Sequence, residues 1–194
     1  METKKVNLAP HDNSGLHADM TWLVGALARD LMARGRNPGV IDMLSRLSAC
    51  DFSRACLRPA SPRTVTACRY LPEAVTSALP VAQETASALA AASEHLGWRN
   101  EGAAAIADVL GGDAPLKSDR MHVSLLLVTP EAELRLPGTG TDRLFFLLSG
   151  PSRWRTDGGA LLAMEPGQTL YVAAGHGVSA NSGTAPLLAV EIRG

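Results

Sequence analysis

From His122 to the C-terminus the chain is a succession of short apolar runs broken by turn residues, and this spacing leaves little room for anything but a barrel or sandwich of antiparallel strands. The runs are His122 to Val128, Leu144 to Leu148, Trp154 to Thr156, Ala160 to Met164, Thr169 to Val172 and Leu187 to Ile192. Between them stand Pro130, Pro137-Gly138, Ser149-Gly150-Pro151, Asp157-Gly158-Gly159, Pro166-Gly167 and Asn181-Ser182-Gly183. Asp157-Gly158 predicts a tight hairpin. The His122 run is apolar almost throughout, as in a strand covered on both faces.

The first hundred residues follow a helical period. Met20, Leu23, Val24, Leu27 and Leu31 fall on one face, with Gly35 as the stop. Asn37 and Pro38 read as the N-cap and first residue of a second helix, whose stripe is Val40, Ile41, Leu44 and Leu47. A loop from Ala49 to Arg69 follows. Pro72 opens a short helix that Pro80 interrupts, and Val81, Thr85, Ala88, Leu89, Ala92 and Leu96 continue at helical spacing until Gly97. Ala103 to Leu110 predicts one more short helix before Gly111-Gly112. The expected division is a helical segment over residues 1–112 and a β-barrel over residues 113–194.

A net charge of −1 over 194 residues, with no long Lys/Arg run, argues against nucleic acid or an anionic membrane as partner. No stretch has the roughly 18 consecutive apolar residues of a membrane span, and the N-terminus lacks the apolar core of a secretory signal. The expected compartment is the cytoplasm. Cys50, Cys56 and Cys68 include no C-x-x-C pair; they read as structural or incidental thiols in a reducing interior.

Five segments carry a resemblance: Cys68–Ala74 (CRYLPEA), His95–Arg99 (HLGWR), Ser118–Pro130, Phe145–Gly159 and Glu165–Gly194. Together they resemble the bacterial dimethylsulfoniopropionate (DMSP) lyase-like cupins, from about Cys68 onward. All five are scaffold motifs. The resemblance implies a mainly β cupin barrel (a double-stranded β-helix or jelly roll) with an N-terminal α-helical segment, and pairing of two copies into a homodimer. It also implies an activity: a metal helps to hold a substrate carboxylate while a tyrosine base abstracts the α-proton, a carbon–sulfur lyase reaction.

The ligand positions of that family depart from its pattern. The first cupin motif, G-x5-H-x-H-x3-E-x6-G, anchored on Gly150, puts its glutamate at Arg143 and its histidines at Thr139 and Pro137. A four-residue spacer would put the histidines at Gly138 and Leu136. The second motif fits at Gly167 and Gly175, with Val178 at its histidine position and Ala173 at its proline position. Divalent ions need imidazole or carboxylate donors, and none of these side chains offers one. No tyrosine follows Arg143 either; Leu144, Phe145 and Phe146 do.

The motif register turns Arg143 into the barrel. An inward guanidinium must be paired or must serve an anion, so Arg143 either replaces the metal as partner of a ligand carboxylate or pairs with an internal acid, Glu133 or Glu191. Arg135, Glu133 and Glu191 complete the expected ligand-binding set. His122 reads as a barrel-wall histidine, His176 as a loop histidine beside the mouth, and Tyr171 as strand packing. As acid–base groups, His122, Tyr171 and His176 form the catalytic alternative. A relocated Zn, Mn or Fe site would have to draw on His122, His176 and Glu133 or Glu191; otherwise no cofactor is expected. Arg153, Trp154 and Arg155 read as outer-surface or dimer-contact residues. The functional expectation is a lyase-like cupin without the metal-dependent site that holds a small organic anion. The alternatives are an active carbon–sulfur lyase cleaving DMSP or a related substrate by β-elimination, and a structural or assembly role.

Overall fold

The computed structural model describes residues 14–34, 37–50 and 63–194. The predicted stop at Gly35 and the thiol of Cys56 lie outside these residues. Among the described residues four α-helices come first: α1 (Ser14–Met32), α2 (Pro38–Ser48), α3 (Leu71–Ala78) and α4 (Gln83–Ala92). Asn37 caps α2 as its sequence suggests, its side chain accepting a bond from the Gly39 amide at 2.9 Å, with Pro38 in the first turn. The apolar stripe predicted to run through Leu96 leaves the α-helix at Ala92, where Ser93–His95 tighten into a 3-10 turn.

Ten strands follow: β1 (Trp98–Glu101), β2 (Ala104–Leu110), β3 (His122–Val128), β4 (Glu133–Leu136), β5 (Arg143–Ser149), β6 (Ser152–Thr156), β7 (Leu162–Met164), β8 (Thr169–Val172), β9 (Val178–Ser182) and β10 (Leu187–Arg193). They form a six-stranded sheet in the order β1-β2-β3-β10-β5-β8 and a four-stranded sheet in the order β4-β9-β6-β7. The pairings within both sheets are antiparallel. The helix expected over Ala103 to Leu110 is therefore strand β2. It pairs with β1 and β3, so the large sheet starts upstream of residue 113.

Two cores divide the six-stranded sheet by face. Leu144, Phe146 and Leu148 of β5 point toward the helices and pack with Leu27, Leu31, Leu89 and their neighbours. Phe145 and Leu147 point the other way and meet Trp154, Met164, Val178 and Ala180 of the smaller sheet. The alternation follows from the two-residue period of a strand. It explains the near-continuous apolar runs, because β2, β3, β5 and β10 are covered on both sides. The space between the sheets is the barrel interior. There Phe145 and Trp154 lie 5.1 Å apart, centroid to centroid, at an interplanar angle of 49°.

Trp154 is thus a core residue, fully buried, with its indole N–H donated to Ser152 Oγ at 2.8 Å. The expectation of an outer-surface tryptophan fails on parity: Arg153 and Arg155 take the exposed face of β6, and the residue between them must turn inward.

Candidate functional site

Arg143 opens β5 and shares its face with Phe145 and Leu147, so its side chain enters the barrel; only 3% of it is exposed. The loop before it supplies its hydrogen-bond acceptors. Nε donates to Thr139 Oγ1 at 3.1 Å and Nη2 to the Pro137 carbonyl. Gly138, between those two, lies so close to the Gly175 carbonyl that a Cβ would come within 2.3 Å of that oxygen. The segment 137–139 is thereby held against the turn that carries His176.

On β10, Glu191 shares the inner face with Leu187 and Ala189, and it too is buried. Its carboxylate stands between two guanidinium groups, with Oε1 3.4 Å from Arg143 Nε and Oε2 3.8 Å from Arg193 Nε. Register makes this arrangement: His122, Arg193, Arg143 and Val172 are cross-strand partners in one row, and Ser124, Glu191 and Phe145 form the next inner row. Ser124 donates to Asp108 Oδ1 at 2.7 Å, and Arg99 Nη1 donates to Asp108 Oδ2 at 2.5 Å. One end of the six-stranded sheet therefore carries a polar band across five strands, buried at Arg143 and Glu191 and exposed at Arg99.

Two donors of this band have no acceptor. Arg143 Nη1 and Arg193 Nε are buried and lack a hydrogen-bond partner among the described residues. Leaving a buried donor unpaired costs about 1–3 kcal/mol, and more for a charged group. Burial pushes the Glu191 carboxyl above its ordinary range, against the pull of Arg193 and then Arg143. Burial likewise lowers the Arg143 guanidinium from its usual value, Glu191 opposing the shift. Two guanidinium groups around one carboxylate leave one positive charge over.

The remaining candidates fall elsewhere. Glu133 and Arg135 alternate with the inward Leu134 and lie on the outer face of the four-stranded sheet, bonded to each other at 2.8 Å. They border a surface cleft of about 600 Å³ with Arg155, Asp157 and Ser179, apart from the barrel interior. Their expected place beside Arg143 is corrected by the same parity that turns Trp154 inward.

Tyr171 alternates with the inward Val172 and faces out, its ring against Gly39 of α2. Its hydroxyl donates to Asp142 Oδ2 at 2.6 Å, which raises the phenol above its ordinary value. His176 is exposed in the turn before β9. His122, expected as a barrel-wall residue, is exposed as well, at the start of β3. It sits over Gly111, where a Cβ would come within 2.5 Å of its Nδ1. Row neighbours are about 4.8 Å apart, so His122 stands three strands from β8, and Tyr171 faces away. The structure does not bring His122, Tyr171 and His176 together.

Among the described residues no group of three His, Cys, Asp or Glu side chains is placed to hold a metal ion. At the motif positions Arg143 contacts Thr139 and Pro137 directly, and Val178 is an apolar core residue paired with Leu136. A fixed positive charge and three side chains without a carboxylate or imidazole do not fit a divalent ion. Sequence reasoning reached Arg143 and Glu191. It missed Arg193, Ser124 and Asp108, although Arg193 and Glu191 are two apart on one strand and so share a face.

No protein-family model and no curated protein matches the chain. Solved structures do. A chain from the crystal structures of the DMSP lyases RdDddP and RnDddQII superposes with a TM-score of 0.69, at 18% identity, over 92% of this chain and 94% of that one. The DMSP lyase DddQ from Ruegeria pomeroyi DSS-3 gives a TM-score of 0.69 at 16% identity, over 89% of this chain and 91% of that one. The fold is that of these two DMSP lyase structures, helical segment included. At such identity the likeness speaks for the fold alone.

Proposed function

We propose that this chain is a DMSP-lyase-like cupin that has given up metal-dependent lyase chemistry and binds a small organic anion at the Arg143–Glu191–Arg193 cluster. One observation carries the reading: two buried guanidinium donors, Arg143 Nη1 and Arg193 Nε, have no acceptor and flank a carboxylate too few to neutralise them. An anion seated there would complete both hydrogen-bond sets and balance the charge. Charge-assisted bonds of this kind are among the stronger ones available. In this reading Arg143 occupies the place of the cation and performs its electrostatic task without its Lewis acidity.

The enzyme alternative draws on the same fold likeness and would need an acid–base pair at the site. Tyr171 faces the helices with its proton engaged by Asp142, so it is poorly placed and poorly poised as a base. His122 stands in the row of Arg143 but at its exposed end.

The test is a thermal-shift screen of short carboxylates on chelator-treated protein, with Arg143→Met in parallel. The reading expects concentration-dependent stabilisation of the wild-type chain and its loss in the variant. Equal stabilisation of both proteins would overturn it. Dimethyl sulfide release from DMSP, assayed with and without added Zn, Mn or Fe, is expected to stay at background; release dependent on one of these metals would establish the lyase instead.

A further inference from the structure

Among the described residues Glu191 is the single carboxylate paired with both arginines, and its position decides what charge the site can accept. It is met by Arg143 from β5 and by Arg193 on its own strand. From β3 it faces Ser124, with His122 beside Arg193 at the rim. From β2 and β1 the charged groups are Asp108 and Arg99, already joined to each other, with Asp108 also accepting from Ser124. The second acid is therefore neutralised by its own partner, and the uncompensated charge belongs to the arginine pair around Glu191.

We propose that Glu191 selects the ligand by charge: with its carboxylate ionised the site takes singly charged anions, and with that carboxylate neutral the site takes doubly charged ones. The proposal rests on the anion-binding reading above. A monoanion balances the cluster. A dianion leaves a net negative charge against a buried carboxylate, and uncompensated charge in a desolvated site is costly enough to reject a ligand. Removing the Glu191 charge removes that repulsion and leaves the charge of both guanidinium groups to the ligand. Burial raises the Glu191 carboxyl, so the switch lies at a higher pH than that of an ordinary carboxyl.

The experiment compares Kd values for propionate and butyrate with those for malonate and succinate at neutral pH, in wild type and Glu191→Gln. Wild type is expected to favour the monocarboxylates. In Glu191→Gln the ratio of dicarboxylate to monocarboxylate affinity is expected to rise by at least about tenfold, as the loss of one close charge repulsion implies. A second arm needs no variant at Glu191. Methanesulfonate and 1,2-ethanedisulfonate keep their charge at every working pH, so acidifying wild-type protein should strengthen the disulfonate relative to the monosulfonate. His122→Gln should retain that shift, since the rim histidine is not its source. An unchanged ratio in Glu191→Gln, a flat pH profile, or a profile abolished by His122→Gln would each overturn the role of Glu191 while leaving anion binding intact. Absence of binding by any of these anions to the wild-type chain would overturn both.

Discussion

Arg143 and Glu191 are buried against each other, and removing one leaves the other with less than a full partner. Arg143→Met is expected to cost about 3 kcal/mol in urea unfolding, in the range for breaking a buried pair. Glu191→Met should cost a similar amount, because it leaves Arg143 and Arg193 facing each other. The double variant should be more stable than the sum of the singles by about 1 kcal/mol or more; strict additivity would mean that the two groups do not interact. The pH dependence follows from the direction of the Glu191 shift. Its folded value lies above the unfolded one, so across that window the folded chain binds the extra proton and stability falls as pH rises. Glu191→Gln should flatten this slope. Asp142 works in the opposite sense. The Tyr171 hydroxyl first, and the Ala174 amide second, lower its carboxyl, so its contribution is present above the ordinary carboxylate range and fades as pH falls. Tyr171→Phe removes the larger cause and should lessen the loss in acid, seen as a smaller change of unfolding midpoint between neutral and acidic buffer.

At the scale of elements, alternation along a strand decides which arginines matter. Arg153 and Arg155 flank an inward tryptophan and stay outside, whereas Arg143 and Arg193 end strands whose inner-face partners are core residues. Trp154→Ala should therefore act as a core truncation, costing about 3–5 kcal/mol, and a surface-sized effect would contradict the packing of Trp154 on Phe145. The loop before β5 matters because its backbone is a ligand of Arg143. Gly138→Ala drives a Cβ against the Gly175 carbonyl and must move the segment that carries Pro137 and Thr139. Weaker carboxylate binding than wild type, by several-fold in Kd, is the expected result. Much of this scale was legible in the residues. The turns at Ser149-Gly150, Asp157-Gly158 and Pro166-Gly167 lie where the punctuation puts them, and Asn37-Pro38 does start a helix. Ala103 to Leu110 was not legible: in a strand covered on both faces every position but Asp108 is apolar, and such a run carries neither a two-residue nor a 3.6-residue period. The short strands β4 and β9 were hidden for the opposite reason, being polar on the face that no layer covers.

For the whole molecule, the helices cover one face of the six-stranded sheet and the smaller sheet closes the other, so one core supports the wall of the barrel and a second fills it. No described helix is long and apolar enough to cross a membrane. Resemblance and superposition agree on this architecture, which the hydrophobic pattern and the turns already imply. The site was only half legible, because a motif position names one side chain while a site is made by register. Arg143 came from its place in a motif, but Arg193, Ser124 and Asp108 join it only through pairings that no local spacing announces. The central claim is the proposed one, that the Arg143–Glu191–Arg193 cluster binds a small organic anion without a metal. Isothermal titration of propionate into chelator-treated protein tests it most directly, run with and without added Zn, Mn or Fe and repeated on Arg143→Met. Saturable binding that needs no metal and disappears in the variant is predicted; binding that appears only after a metal is added, and survives the loss of Arg143, would contradict it.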